Sequence, residues 1–205
     1  RHARRILHER TAFGVDQSQA ESLIKSRLKG GRLTETQILR FLWALYGMDA
    51  LSTEDLVQWT HHRSEHVRRW AIKLIFDQGE PQNFGELVLE GVFRRGIRGR
   101  IVEMAYGDPS PKVLLAIASS MQQVQPANRW MLAETLTRQR ALLDDETLTL
   151  MTWYAIEPLI HEDRHRFINL ALDSPNPVLQ QFIMRRACEG NEPELEDVIA
   201  AIHSF

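Results

Sequence analysis

The stretch His161-Glu162-Asp163-Arg164-His165 has the residue types and spacing of a zinc-hydrolase motif. Two histidines one helical turn apart can bind a metal, and a glutamate between them can activate its water. Glu189, 24 residues after His165, could supply a third ligand. That chemistry needs both histidines deep within one helix. Pro158 lies just upstream and the two central residues are charged. The stretch therefore reads as a solvated helix start, with Glu162 and Asp163 near its positive end. His61, His62 and His66 form a second cluster, in which His62 and His66 could meet across a turn and hold a metal ion. The reading taken is a turn-capping His62 with the other two solvated.

Arg94, Arg95, Arg98 and Arg100 form the one dense basic run, interleaved with glycine. Their forked guanidinium groups could clamp phosphates or carboxylates as an interaction patch. The plainer reading is an exposed loop or helix edge balanced by Glu86, Glu90 and Glu103. Arg1, Arg4, Arg5 and Arg10 add a terminal basic stretch, where chain ends fray. Glu157 closes a strongly apolar segment just before Pro158. A carboxylate buried there needs an arginine partner, which would make it a structural lock. Trp43, Trp59, Trp70, Trp130 and Trp153 are expected between helices, about one per repeat, and an exposed one would mark a partner site. Cys188 is expected to be a small buried apolar residue.

The elements that carry these residues read as helices throughout. No segment alternates strictly between apolar and polar over five or more residues, and the most strand-like piece, Leu87-Val88-Leu89, is explained as well by a helix. Ala12-Phe13-Gly14 breaks a first helical stretch, Asp16 can cap the next, and Gly30-Gly31 ends it. Thr34 with Gln37 is a capping box, since each side chain can satisfy an orphan backbone N–H. The helix it opens is apolar almost all round, as is Glu146 to Glu157, so both are expected between neighbours, with Trp153 buried. Ser52 caps a shorter helix holding Leu56, Val57 and Trp59. Val67-Arg68 with Ala71 and Leu74 has the pattern of the second helix of a HEAT repeat, a helical hairpin closed by an Asp five residues before the Val. His62 stands at that position, whereas Asp108 with Val113 and Asp173 with Val178 keep the spacing, each with Pro in the first helical turn. Their Arg is replaced by Leu114 and Leu179. Val67, Val113 and Val178 lie 46 and 65 residues apart. The first gap is one repeat with an insertion around 81–99, and the second is two repeats, the less obvious of them at 126–158. Asp108 and Asp173 are thus expected at equivalent turns, each accepting from backbone N–H groups.

The pieces from Arg40 to Ile75, Leu148 to Ile160 and Val178 to Gly190 resemble the helical region of very large planctomycete and verrucomicrobial proteins. Those proteins join a β-propeller of sugar-dehydrogenase type, HEAT-like repeats and a c-type cytochrome module bearing CxxCH. The resemblance covers about 32–190; WYAIEP (Trp153 to Pro158) is its most distinctive motif. It implies an exported helical module between functional domains. No CxxCH occurs here, so the haem-attachment chemistry is absent, and no catalytic residue is carried over.

The chain is 205 residues long, 43% apolar and 25% charged, with a net charge of −2. That balance offers no global case for nucleic acid or an anionic membrane. No apolar run reaches the roughly 20 residues that span a bilayer. One cysteine excludes an internal disulfide framework. The chain begins at Arg1 with neither an initiator Met nor a signal peptide, and it reads as a piece of a longer protein. The expectation is an all-α fold, a right-handed α-solenoid of five or six HEAT-like hairpins in one domain over 1–205. The approximate repeats are 1–49, 52–79, 81–125, 126–159, 162–190 and a partial 193–205. The function expected is a non-catalytic, monomeric scaffold or spacer without cofactor, whose partners are proteins or flanking domains. A nucleic-acid-binding HEAT protein is the alternative, and a zinc hydrolase through His161 and His165 the remote one.

Overall fold

The computed structural model describes residues 2–78 and 97–189. Among them are eleven α-helices, three short 3-10 turns and no strand, so the all-α expectation holds. Leu87 to Leu89, Glu86, Glu90, Arg94, Arg95 and the partial repeat 193–205 lie outside the described residues. No described helix is long and apolar enough to cross a membrane.

The chain divides into two units, 1–78 and 79–205. In the first, α1 (His2–Ala12), α3 (Glu35–Gly47) and α5 (Glu65–Asp77) lie in a row, α3 touching both others. Helix α2 (Ser18–Gly30) packs on α3, and α4 (Thr53–Trp59) on α5. Local signals set the ends. Gln37 N–H donates to Thr34 Oγ1 at 3.3 Å and Thr34 N–H to Gln37 Oε1 at 2.8 Å. Ser52 and Asp55 make the same reciprocal pair at α4. Gly14, just past α1, sits at φ +67°, where a side chain would be strained. Leu42, Leu45, Leu56, Val67, Ile72 and Phe76 fill this unit's core.

The second unit has two rows. Helices α6 (Ile97–Gly107), α8 (Trp130–Thr137) and α10 (Arg164–Asp173) form one row. The other holds α7 (Pro111–Met121), α9 (Glu146–Ile156) and α11 (Pro177–Ala187). Consecutive helices also pair across the rows, α6 with α7, α8 with α9 and α10 with α11. Ile101, Val113, Ile117, Leu132, Leu148, Phe167, Leu179 and Ile183 lie between them, all essentially without solvent contact. Each such aliphatic side chain stabilises the fold by about 1.5–3 kcal/mol relative to exposure.

Three sequence expectations are corrected here. Asp173 is the last residue of α10, and its carboxylate takes Arg138. The turn position belongs to Ser174, whose Oγ accepts from Asn176 N–H at 3.3 Å, as Asp108 Oδ1 accepts from Ser110 N–H at 3.0 Å. The buried residue five positions on is then Leu179, whereas Val178 is 47% exposed. The register at this hairpin is shifted by one residue. Helix α9 buries only one side, through Leu148, Thr149, Thr152, Ala155 and Ile156, while Tyr154 is 50% exposed and Leu150 is also exposed. Trp153 is partly buried, 5.6 Å from the Phe182 ring and 6.5 Å from Phe167. Cys188, past the end of α11, is exposed.

Candidate functional site

The HExxH stretch does not lie on one helix. His161 ends the 3-10 turn Glu157–His161, Glu162 follows it, and Asp163 caps α10, accepting from Arg166 N–H at 2.9 Å. His165 is in the first turn of α10. The two histidines thus belong to different elements, because the chain turns between them. Arg186 Nη2 lies 3.2 Å from His161 Nε2, one of the two nitrogens through which the ring could bind a metal. Arg186 also takes Glu157 Oε1 at 2.6 Å and Glu189 Oε2 at 3.3 Å. Glu157 therefore has the arginine partner its position called for, at a partly buried site. Among the described residues no group of three His, Cys, Asp or Glu side chains is placed to hold a metal ion.

His62 takes the turn position of the α4–α5 hairpin. Its Nδ1 accepts from Ser64 N–H at 3.0 Å, and burial first, then Arg63, hold its imidazole below the usual range. Arg68 reaches back from α5 to the His62 and Arg63 carbonyls, each at 3.0 Å. Gln180 repeats that contact on α11, donating to the Ser174 carbonyl at 2.7 Å. With the corrected register, Gln180 rather than Leu179 stands where Arg68 stands. His61 is exposed and His66 half-buried. Of the basic run, Arg98 lies in the first turn of α6, and Arg100 pairs with Glu103 at 2.9 Å.

Two interactions were not foreseen from residue types. Arg129 is 7% exposed, and its donors go to the carbonyls of Val124 (2.7 Å), Gln122 (2.9 Å) and Ala155 (2.8 Å). Burial lowers its pKa from the usual arginine value. Helix C-terminal carbonyls carry partial negative charge, which suits a buried cation there. Asn176 is the second. Its Oδ1 caps α11 by accepting from Val178 and Leu179 N–H, both at 2.9 Å. Its Nδ2 donates to the Leu142 carbonyl and, at 3.1 Å, to Thr149 Oγ1. One side chain thus ends α11 and ties it to the start of α9.

Two surface grooves carry the remaining chemistry. The first, about 610 Å³, lies across α1, α3 and α5. Trp43 and Trp70 meet edge to face, 4.9 Å apart at 79°, with Arg4 over the Trp43 ring at 5.3 Å. Tyr46 donates to Asp77 Oδ2 at 2.6 Å; burial, then this bond, push its phenol up to about 12. Gly47 completes the lining, and a Cβ there would come 2.2 Å from His8 Cδ2. The second groove, about 630 Å³, lies across α9 and α11, among Trp153, Tyr154, Glu157, Phe182, Arg185 and Arg186. Of the five tryptophans only Trp130 is buried, 4.6 Å beneath the Arg166 guanidinium. No family model matches the chain, and no curated protein and no solved structure matches it.

Proposed function

We propose that the chain is a right-handed α-solenoid of HEAT-like hairpins, serving as a non-catalytic spacer and protein-interaction module. The observation that carries this reading is the double row of the second unit, where each helix pair packs on the next. Polar contacts also join each pair to the next. Gln139 donates to the Tyr106 carbonyl at 3.2 Å, Arg166 pairs with Glu134 at 2.7 Å, and Arg138 with Asp173. Charged side chains in such ladders hold neighbours, and stacking of this kind offers much surface per residue. Partly exposed aromatics in both grooves fit a surface that meets protein. The resemblance to propeller, HEAT and cytochrome c proteins supports a place between flanking domains of an exported chain, with no cofactor bound by this part.

Crosslinking with mass-spectrometric readout, on the chain joined to its flanking domains, tests this. Crosslinks from α3, α5, α9 or α11 to another protein segment are expected. A full equivalent of zinc lost in His161→Ala, or DNA binding that survives about 0.2 M salt, would overturn it.

A further inference from the structure

The two grooves place the same chemistry at the same helical positions. Nine residues after their N-caps, Thr34 and Asp145, α3 and α9 carry Trp43 and Tyr154. Counted from Ser64 and Asn176, α5 and α11 carry Trp70 and Phe182 six residues on. Lys73 and Arg185 follow at nine residues, and Asp77 and Glu189 at thirteen. The acids are already engaged, Asp77 by Tyr46 and Glu189 by Arg186. Lys73, half-buried, lies with its Nζ 5.7 Å from the Trp70 ring centroid. Each groove is lined by an exposed cation, Arg4 over the Trp43 ring in the first and Arg185 in the second. Neither of these two arginines makes an ion pair with a carboxylate among the described residues. Each groove therefore joins an aromatic wall to a free positive charge. Both are within the volume range of ligand pockets. Such a wall takes an aromatic ring, and the cation beside it takes a carboxylate.

We propose that each of the two grooves is a socket that takes an aromatic side chain of an acidic segment of a partner protein. A carboxylate next to that side chain meets Arg4 in the first socket and Arg185 in the second. The proposal rests on the interaction-module reading and deepens it, since charge complementarity selects an acidic partner over a basic one.

The test is a titration of the isotope-labelled chain with a blocked peptide, Asp-Glu-Phe-Glu-Asp, followed by NMR and calorimetry at low salt. Lys-Lys-Phe-Lys-Lys and Asp-Glu-Ala-Glu-Asp are the controls. At about 1 mM, two acidic aromatic peptides should bind per chain, with shifts confined to α1, α3 and α5 and to α9 and α11. Arg4→Glu should remove the first set of shifts and Arg185→Glu the second, each leaving one site and an unchanged helical spectrum. Equal binding of the basic peptide, equal binding of the alanine peptide, or no shift at either groove would overturn the proposal. If the sockets fail while crosslinks reach other faces of these helices, the module reading stands without them. Stoichiometric zinc would remove that reading itself.

Discussion

Arg129 holds a charge where little water reaches it, and three backbone carbonyls stand in for a carboxylate. Replacing it with Met leaves those acceptors buried and unpaired, so Arg129→Met should cost about 2–4 kcal/mol in urea unfolding. Arg129→Lys should lose much of the same, because a compact ammonium cannot span the three carbonyls that the separate nitrogens of the guanidinium reach. Loss below about 0.5 kcal/mol for both would mean the network is ornamental. The sequence around Arg129 reads as a polar turn, and the carbonyl that buries it comes from Ala155, 26 residues away. Nothing local could reveal it. His62 was legible, because its spacing to Val67 marked it as the turn residue. Its folded pKa lies below the unfolded value of about 6.5. As pH falls the unfolded chain takes up the proton first, so the hairpin's stability is full above that value and is lost through the lower folded pKa. His62→Asn keeps an uncharged acceptor and should flatten the stability curve as pH falls below the unfolded histidine value of about 6.5. Parallel curves for the two proteins would contradict this assignment.

At the scale of the element, ends were more legible than registers. Thr34 with Gln37 and Ser52 at α4 announce their helices, since capping chemistry is local. The α10–α11 turn is ambiguous, because Asp173 with Val178 and Ser174 with Leu179 both keep five-residue spacing. Only packing decides between them, by burying Leu179 and exposing Val178. Leu179→Ala should cost about 2–5 kcal/mol, and Val178→Ala about 0.5 kcal/mol or less. The reverse order would restore the other register. The same logic separates the acids. Asp108→Ala removes a turn acceptor and should cost about 0.5–2 kcal/mol. Asp173→Ala removes an exposed ion pair and should cost about 0–1 kcal/mol. Helix α9 misled for a different reason. Apolar residues on every side suggest burial all round, yet Leu150 and Tyr154 face solvent and Thr149 and Thr152 face inward. Thr149 is satisfied there by donating to the Leu142 carbonyl at 2.9 Å, so its polarity does not exclude it from the core.

For the molecule as a whole, the all-α class was legible because apolar residues recur at helical spacing and turns are marked by Gly, Pro and Asp. The grooves were not, since pairing Trp43 with Trp70 or Trp153 with Phe182 requires knowing which helices are neighbours in a row. The central claim is that stability passes from one helix pair to the next, as in a stack, and is not shared by one indivisible core. Asn176 is the place to test it, because its side chain both caps α11 and holds it to the Leu142 turn. Native-state hydrogen exchange on Asn176→Ala reads the answer directly. The account predicts that protection falls across α10 and α11, residues 164–187, while α6 and α7, residues 97–121, keep theirs. An equal fall in protection across 97–187 would contradict it.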